Sequence, residues 1–193
     1  MDRSTDLRQG QLLAVLSLGI SDRIRHAENT AAGHGAAAPA ALVALHEFLG
    51  GATMDQLRQV VGLTPSGAVR LVDKLAEAGL VRRGPGPDGR SLAVTLTRRG
   101  TAAAERVLTA RRQAAETVLA GLGPDELEAL TPLLERLLQE LTWARLAERG
   151  SGRIPRGGWL CRLCDFAACH RLEGGCPVGQ VTRPMREGVA RDG

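Results

Sequence analysis

Residues 63–100, LTPSGAVRLVDKLAEAGLVRRGPGPDGRSLAVTLTRRG, constrain the chain more than any other stretch, because they set a helix with both ends marked directly against a two-stranded hairpin. Thr64 is a strong N-cap, Pro65 suits the first helical position, and Gly79 stands where a left-handed residue closes a helix. Between them Ala68, Val69, Val72, Leu75 and Ala76 share one face, and Ser66, Arg70, Asp73, Lys74 and Glu77 recur at three- and four-residue spacing on the other. The first stripe is expected to pack, and the second to meet solvent or a partner. Ser66 and Gly67 place short side chains in the first turn, where a helix N-terminus can approach a phosphate or base edge; Arg70 and Lys74 follow one turn apart. Taken alone, this helix reads equally well as an ordinary amphipathic surface helix. Its neighbours decide the matter.

Upstream, TMDQLRQVVG carries Thr53 and, three residues on, Gln56, a capping-box spacing, followed by apolar Met54, Leu57, Val60 and Val61 and a stop at Gly62. Two short capped helices around a break at Gly62 and Leu63 form a helix-turn-helix, the second helix being the reading element. Downstream, Leu80 to Arg83 and Ser91 to Thr97 are expected as strands, the latter alternating Leu92, Val94 and Leu96 with Ala93, Thr95 and Thr97. The link between them, GPGPDGR, is all turn chemistry, so Asp88 and Arg90 are its main chemical content. An arginine on a thin hairpin beside a major-groove helix suits the adjacent minor groove, where negative potential is focused, and Asp88 is near enough to steady it.

These residues resemble the MarR-type winged-helix regulators: RLVDKL at 70–75, LVRR at 80–83, the Asp88-x-Arg90 wing and LTRRG at 96–100. The likeness runs, in order of elements, over roughly residues 7–148 and is most specific in the wing. It implies that Asp88 and Arg90 pair and that Arg90 enters the minor groove. Gly89 stands where many relatives carry a second basic residue, a departure that weakens phosphate contact at the tip and leaves the Asp-x-Arg spacing intact. The full candidate set for double-stranded DNA is Thr64, Ser66, Gly67, Arg70, Lys74, Arg82, Arg83, Asp88 and Arg90. The resemblance further implies a twofold homodimer on a near-palindromic operator, more often as a repressor than an activator. Such relatives often bind aromatic acids between dimer helices and reading head. This chain has no Tyr, two Phe and two Trp, so an aromatic-lined pocket is not expected, and a small-molecule effector stays open.

The fold class expected is mainly α with a small β-hairpin: a winged helix-turn-helix with N- and C-terminal dimerisation helices and a short metal-binding tail. Residues 1–149 form the core domain, with 38–100 as the DNA-binding lobe and 6–28 and 99–149 as dimerisation helices. Within the latter, QLLAVLSLGISDRI at 11–24 and TPLLERLLQELTWARLA at 131–147 are apolar on more than one face and need a partner. Pro132 requires a kink there, or a restart capped by Thr131. A net charge of +4, with 25 basic residues of which only Lys74 is lysine, favours polyanion contact through guanidinium forks. No run approaches membrane-spanning length free of charge, and MDRSTDLRQG lacks the basic-then-apolar order of an export signal, so a cytoplasmic protein without membrane contact is expected. No carboxylate pair, phosphate loop or Ser-His-Asp pattern marks an enzyme, and adjacent Cys169 and His170 lack the geometry of nucleophile and base. His26, His34 and His46 are assigned no role.

Residues 150–158, GSGRIPRGG, read as a flexible linker to a Cys-rich tail at 159–193 that holds all four cysteines, in CRLCDFAACHRLEGGCP. The spacings between Cys161, Cys164, Cys169 and Cys176 let one short loop converge four thiolates on a single centre. Zn2+ is slightly favoured over an iron–sulfur cluster, whose loops share the Cys-Pro ending at Cys176-Pro177, and a metal-free thiol switch is the third reading. His170 is expected beside the ligands or in solvent. Trp159, Leu160, Leu163, Phe166, Leu172 and Val178 are too few apolar groups to fold the tail unaided, so a metal would supply stability. A zinc ion would clamp the tail on the dimer; a cluster or thiol switch would let its loss or oxidation reposition the reading heads. The alternative function is a winged-helix protein-interaction scaffold with a structural zinc and no specific DNA target, since Asp73 and Glu77 dilute the positive face.

Overall fold

Three threonine caps set the middle of the chain. In the computed structural model, which describes residues 3–86, 92–150 and 157–182, the Thr53 hydroxyl accepts the backbone N–H of Gln56 while the Gln56 side chain accepts that of Thr53. This capping box starts α3 (Met54–Val61), and Gly62, at φ +81°, ends it in the left-handed region. Thr64 caps α4 (Pro65–Glu77) by accepting from Gly67, and Thr97 caps α5 (Arg98–Leu119) by accepting from Gly100. Gly79, at φ +67°, closes α4 with its N–H on Ala76 and the next N–H, of Leu80, on Leu75. Both ends of the helix-turn-helix therefore stand where the cap residues put them.

Ahead of these elements lie α1 (Arg3–Ala32) and α2 (Ala38–Glu47); α6 (Pro124–Gly150) follows α5, and a single 3-10 turn, Leu160–Leu163, lies in the tail. The strands form a three-stranded antiparallel sheet in the order β1-β3-β2. The hairpin of β2 (Val81–Pro85) and β3 (Leu92–Leu96) is in register from Val81 with Leu96 to Pro85 with Leu92. β1 (Ala52–Thr53) adds to it through Ala52 with Val94 and Thr53 with Ala93, a two-residue strand too short to leave a period in the sequence. The first hairpin strand begins one residue later than expected. Leu80 instead turns its carbonyl to the Thr97 N–H, while the Thr97 hydroxyl donates to the neighbouring Gly79 carbonyl at 2.7 Å.

The core gathers on α2, whose residues Ala38 to Leu45 are all buried. Around it pack Leu57 of α3, Val72 and Leu75 of α4, Val94 of β3 and Val107 of α5, each at most 1% exposed. One correction concerns α4. Val69, expected on the packing stripe, is 45% exposed, and Leu71, at 7%, completes the buried face with Ala68, Val72 and Leu75. Each residue turns the helix by about 100°, so Val69 lies one step beyond Ala68, towards solvent.

α1 lies along α5, joined by an ion pair from Arg111 to Glu28, which is only 3% exposed. α6 is different: it makes no extended packing with any other helix or strand, and Thr142 is its single buried residue. Pro132 neither breaks nor restarts it, and the Thr131 hydroxyl donates to the Leu127 carbonyl within the same helix. Among the described residues no helix is long and apolar enough to cross a membrane.

Gly100 shows how closely the first turn of α5 sits on the strand entry, since a Cβ there would lie 1.9 Å from the Leu80 carbonyl oxygen. Gly100→Ala is expected to cost about 1–3 kcal/mol through overpacking, read as a lower urea midpoint. An unchanged midpoint would contradict this contact.

Candidate nucleic-acid interface

The first turn of α4 presents backbone and short side chains. Gly67 is held against Thr64, where a Cβ would come 3.0 Å from the threonine hydroxyl, and that hydroxyl also lies 3.4 Å from Ser66 Oγ. Thr64 is thus committed to capping, while Ser66, Arg70 and Lys74 are exposed along the same helix. Val69 joins them. It was missed as a surface residue in the sequence, although it stands three residues from Ser66 and one from Arg70. Its exposed methyls give the polar face an apolar point of the kind that meets a thymine methyl group.

Arg82 and Arg83 are both exposed on β2. The Arg82 Nε donates to Thr95 Oγ1 across the hairpin at 3.1 Å, and Arg83 forms an ion pair with Asp73 of α4. That pair joins the wing's first strand to the reading helix. At this exposure its stabilising effect is at most about 1 kcal/mol, so its value lies in orientation. Asp88 and Arg90, the expected chemical content of the wing tip, lie outside the described residues.

A second surface meets the helix-turn-helix from behind. Trp159 donates its backbone N–H to the Val60 carbonyl at 2.8 Å, where α3 ends. Gly158 presses on the same place: a Cβ on it would lie 2.4 Å from the Val60 oxygen, and one on Gly62 would lie 2.4 Å from the Gly158 nitrogen. Arg145 of α6 donates to the Gly158 carbonyl at 2.9 Å. Phe48, just past α2, stacks between Trp159 and Phe166, at centroid distances of 6.2 and 5.2 Å. The Phe166 N–H donates to Glu47 Oε2 at 2.9 Å, and the Arg171 guanidinium lies 5.6 Å from the Phe166 ring centroid.

This arrangement corrects the expectation about pockets. Phe48, Trp159 and Phe166, three of the chain's four aromatic side chains, line a cavity of about 720 Å3 together with Arg145, Leu146 and Arg171. Counting aromatics does not reveal where they gather, and the tail supplies two of the three.

All four cysteines are free, and they pack into one cluster with Leu138, Leu160, Phe166 and Val178. Cys161 and Cys176 are buried. The Cys164 thiol hydrogen-bonds to Cys161 and, against the opposing effect of burial, lowers Cys161 to about 7, with help from the Arg171 charge. The same hydrogen bond, then burial, pushes Cys164 far up. Burial first, and then the neighbouring Cys176, raise Cys169 to about 11. Arg171 Nη1 lies 4.0 Å from the Cys161 sulfur and 3.9 Å from that of Cys176, which also accepts the Gly179 N–H at 3.4 Å. Among the described residues, no three His, Cys, Asp or Glu side chains are disposed as ligands around a metal ion. The thiols contact one another in pairs. His170 stands apart, exposed, with its ring nitrogen 2.8 Å from Glu173.

The MarR family model matches residues 35–91. Among solved structures, a probable transcriptional regulator from Pseudomonas aeruginosa is 31% identical over 65% of this chain and 96% of its own, with a TM-score of 0.50. A MarR family protein from Bacillus stearothermophilus is 25% identical over 74% of this chain and 99% of its own, with a TM-score of 0.63. Wild-type MarR from E. coli, in its apo form, is 24% identical over 65% of this chain and 96% of its own, with a TM-score of 0.53, and shares the fold. No curated protein matches the chain.

Phe48→Ala removes the middle ring of the stack and is expected to weaken tail docking by about 1–3 kcal/mol. Limited trypsin digestion should then cut after Arg162 and Arg171 at doses that leave the parent protein whole. Equal resistance in both would mean that the stack does not hold the tail.

Proposed function

The chain belongs to the MarR family of DNA-binding transcriptional regulators, and from that membership we propose that it acts in the cytoplasm as a homodimeric repressor on a near-palindromic operator. The observation that carries this reading is the exposed row Ser66, Val69, Arg70 and Lys74 on a helix tied to an arginine-bearing wing strand by Arg83 and Asp73. The N-terminal turn of α4 would enter the major groove, with Ser66 and Arg70 at base edges and Lys74 nearer the phosphates. Arg82 would add a phosphate contact, and Arg90, steadied by Asp88, would reach the neighbouring minor groove. Gly67 allows the close approach, and Thr64 holds the turn in shape.

Dimerisation is supported by apolar surface that the single chain leaves uncovered. Leu12, Leu13 and Leu16 on α1 and Leu133, Leu134 and Leu137 on α6 are each at least 50% exposed. Covering a fully exposed leucine is worth about 1.5–3 kcal/mol, so exposed leucines recurring on two long helices favour a partner surface. A twofold pairing through these helices would set two reading helices about one DNA turn, some 34 Å, apart.

Gel shifts over native chromosomal fragments at several salt concentrations test the reading. Arg70→Ala should weaken operator binding by about 1–3 kcal/mol and relax sequence preference, whereas Arg90→Ala should flatten the salt slope by about one unit. If both variants bind like the parent, or no fragment is preferred, the chain is better read as a protein-interaction scaffold.

A further inference from the structure

We propose that Cys161, Cys164, Cys169 and Cys176 form a four-thiolate site for one thiophilic metal centre, a zinc ion or an iron–sulfur cluster, and that filling it locks the tail onto the turn ahead of α4. The shared chemistry of the two centres is coordination by soft thiolate sulfur. The chain's only four cysteines are brought into one cluster, all free, with two buried and two half-buried. A bare set of four thiolates would be strongly anionic, and the cluster is furnished to offset that charge. Arg171 reaches two of the sulfurs and the Gly179 N–H a third contact on Cys176. Loading replaces the contacts between thiols with metal–sulfur bonds, and the protons the thiols still carry pass to solvent.

The tail needs such a centre. Among its described residues the regular structure is one 3-10 turn and a short helical segment, and the buried apolar residues beyond the cysteines are Val178 and Val181. A segment of this size gains its fold from a metal or from docking, and here the two are joined. The Phe166 ring that flanks the cysteines is the one stacked on Phe48, and Trp159, two residues before Cys161, bonds to the end of α3. Gly158 occupies the space beside Gly62, the residue from which the chain turns into α4. Order at the thiols therefore passes through at most three residues to the helix-turn-helix.

The metal site stands independently of DNA binding, whereas its effect on affinity rests on the reading of α4 given above. The full chain, purified anaerobically, should carry either one zinc per chain without colour, or iron with matching acid-labile sulfide and visible absorption. Each single Cys→Ser variant should lose most of that metal. Removing the metal should weaken binding to the preferred fragment about tenfold or more and expose Arg162 to trypsin. Gly158→Ala should keep the metal yet reproduce the loss of affinity, because it displaces the strap without touching a sulfur. Fewer than about 0.1 equivalents of either metal, with four titratable thiols or two disulfides, would overturn the site. Full metal whose removal changes neither affinity nor trypsin protection would overturn the lock. Should the metal-loaded protein prefer no fragment, the DNA reading fails instead, and metal content and trypsin protection still decide both parts of the proposal.

Discussion

Burial of α2 is the constraint on which the other elements depend. It is a ten-residue helix, AAs Ala38 to Leu45 of which are buried, and it touches α1, α3, α5, β3 and the 3-10 turn of the tail. Small side chains make this possible, since Ala38, Ala40, Ala41 and Ala44 let surrounding elements approach its backbone. With that core in place, the reading helix needs only its buried stripe of Ala68, Leu71, Val72 and Leu75, and its other face is free for polar chemistry. The wing is then oriented by the sheet register and by the pair of Arg83 with Asp73.

Local rules made the helix-turn-helix legible. Thr53 with Gln56, Thr64 with Pro65, and the glycines at 62 and 79 act through bonds three to five residues long, so the sequence carries them whole. The same locality explains the misses. Val69 and Leu71 exchange places because a face is defined by what packs on it, which for α4 is α3 and the first hairpin strand, and not by periodicity alone. β1 exists only because β3 is there to receive it. Asp73 read as a solvent charge until a residue ten positions away came to meet it.

The tail shows a longer-range version of this limit. Its cysteine spacing announced a cluster, and the four thiols do gather. What spacing could not announce is the surface on which they gather: Phe48 and Glu47 at the end of α2, Val60 and Gly62 at the end of α3, and Arg145 on α6. The aromatic content looked too thin to line a pocket because a count treats residues as dispersed. Three rings drawn together from positions 48, 159 and 166 make a different environment from three rings apart.

The backbone contact between Gly62 and Gly158 has a consequence for descent. A helix end in the left-handed conformation ordinarily tolerates asparagine as well as glycine, but here the backbone of Gly157 and Gly158 leaves no room for any Cβ at position 62. The restriction comes from the appended segment and not from the helix. A lineage that sheds the cysteine-bearing segment regains the wider choice at 62, and one that acquires it must already have glycine there, so the two characters are tied in the order of their appearance.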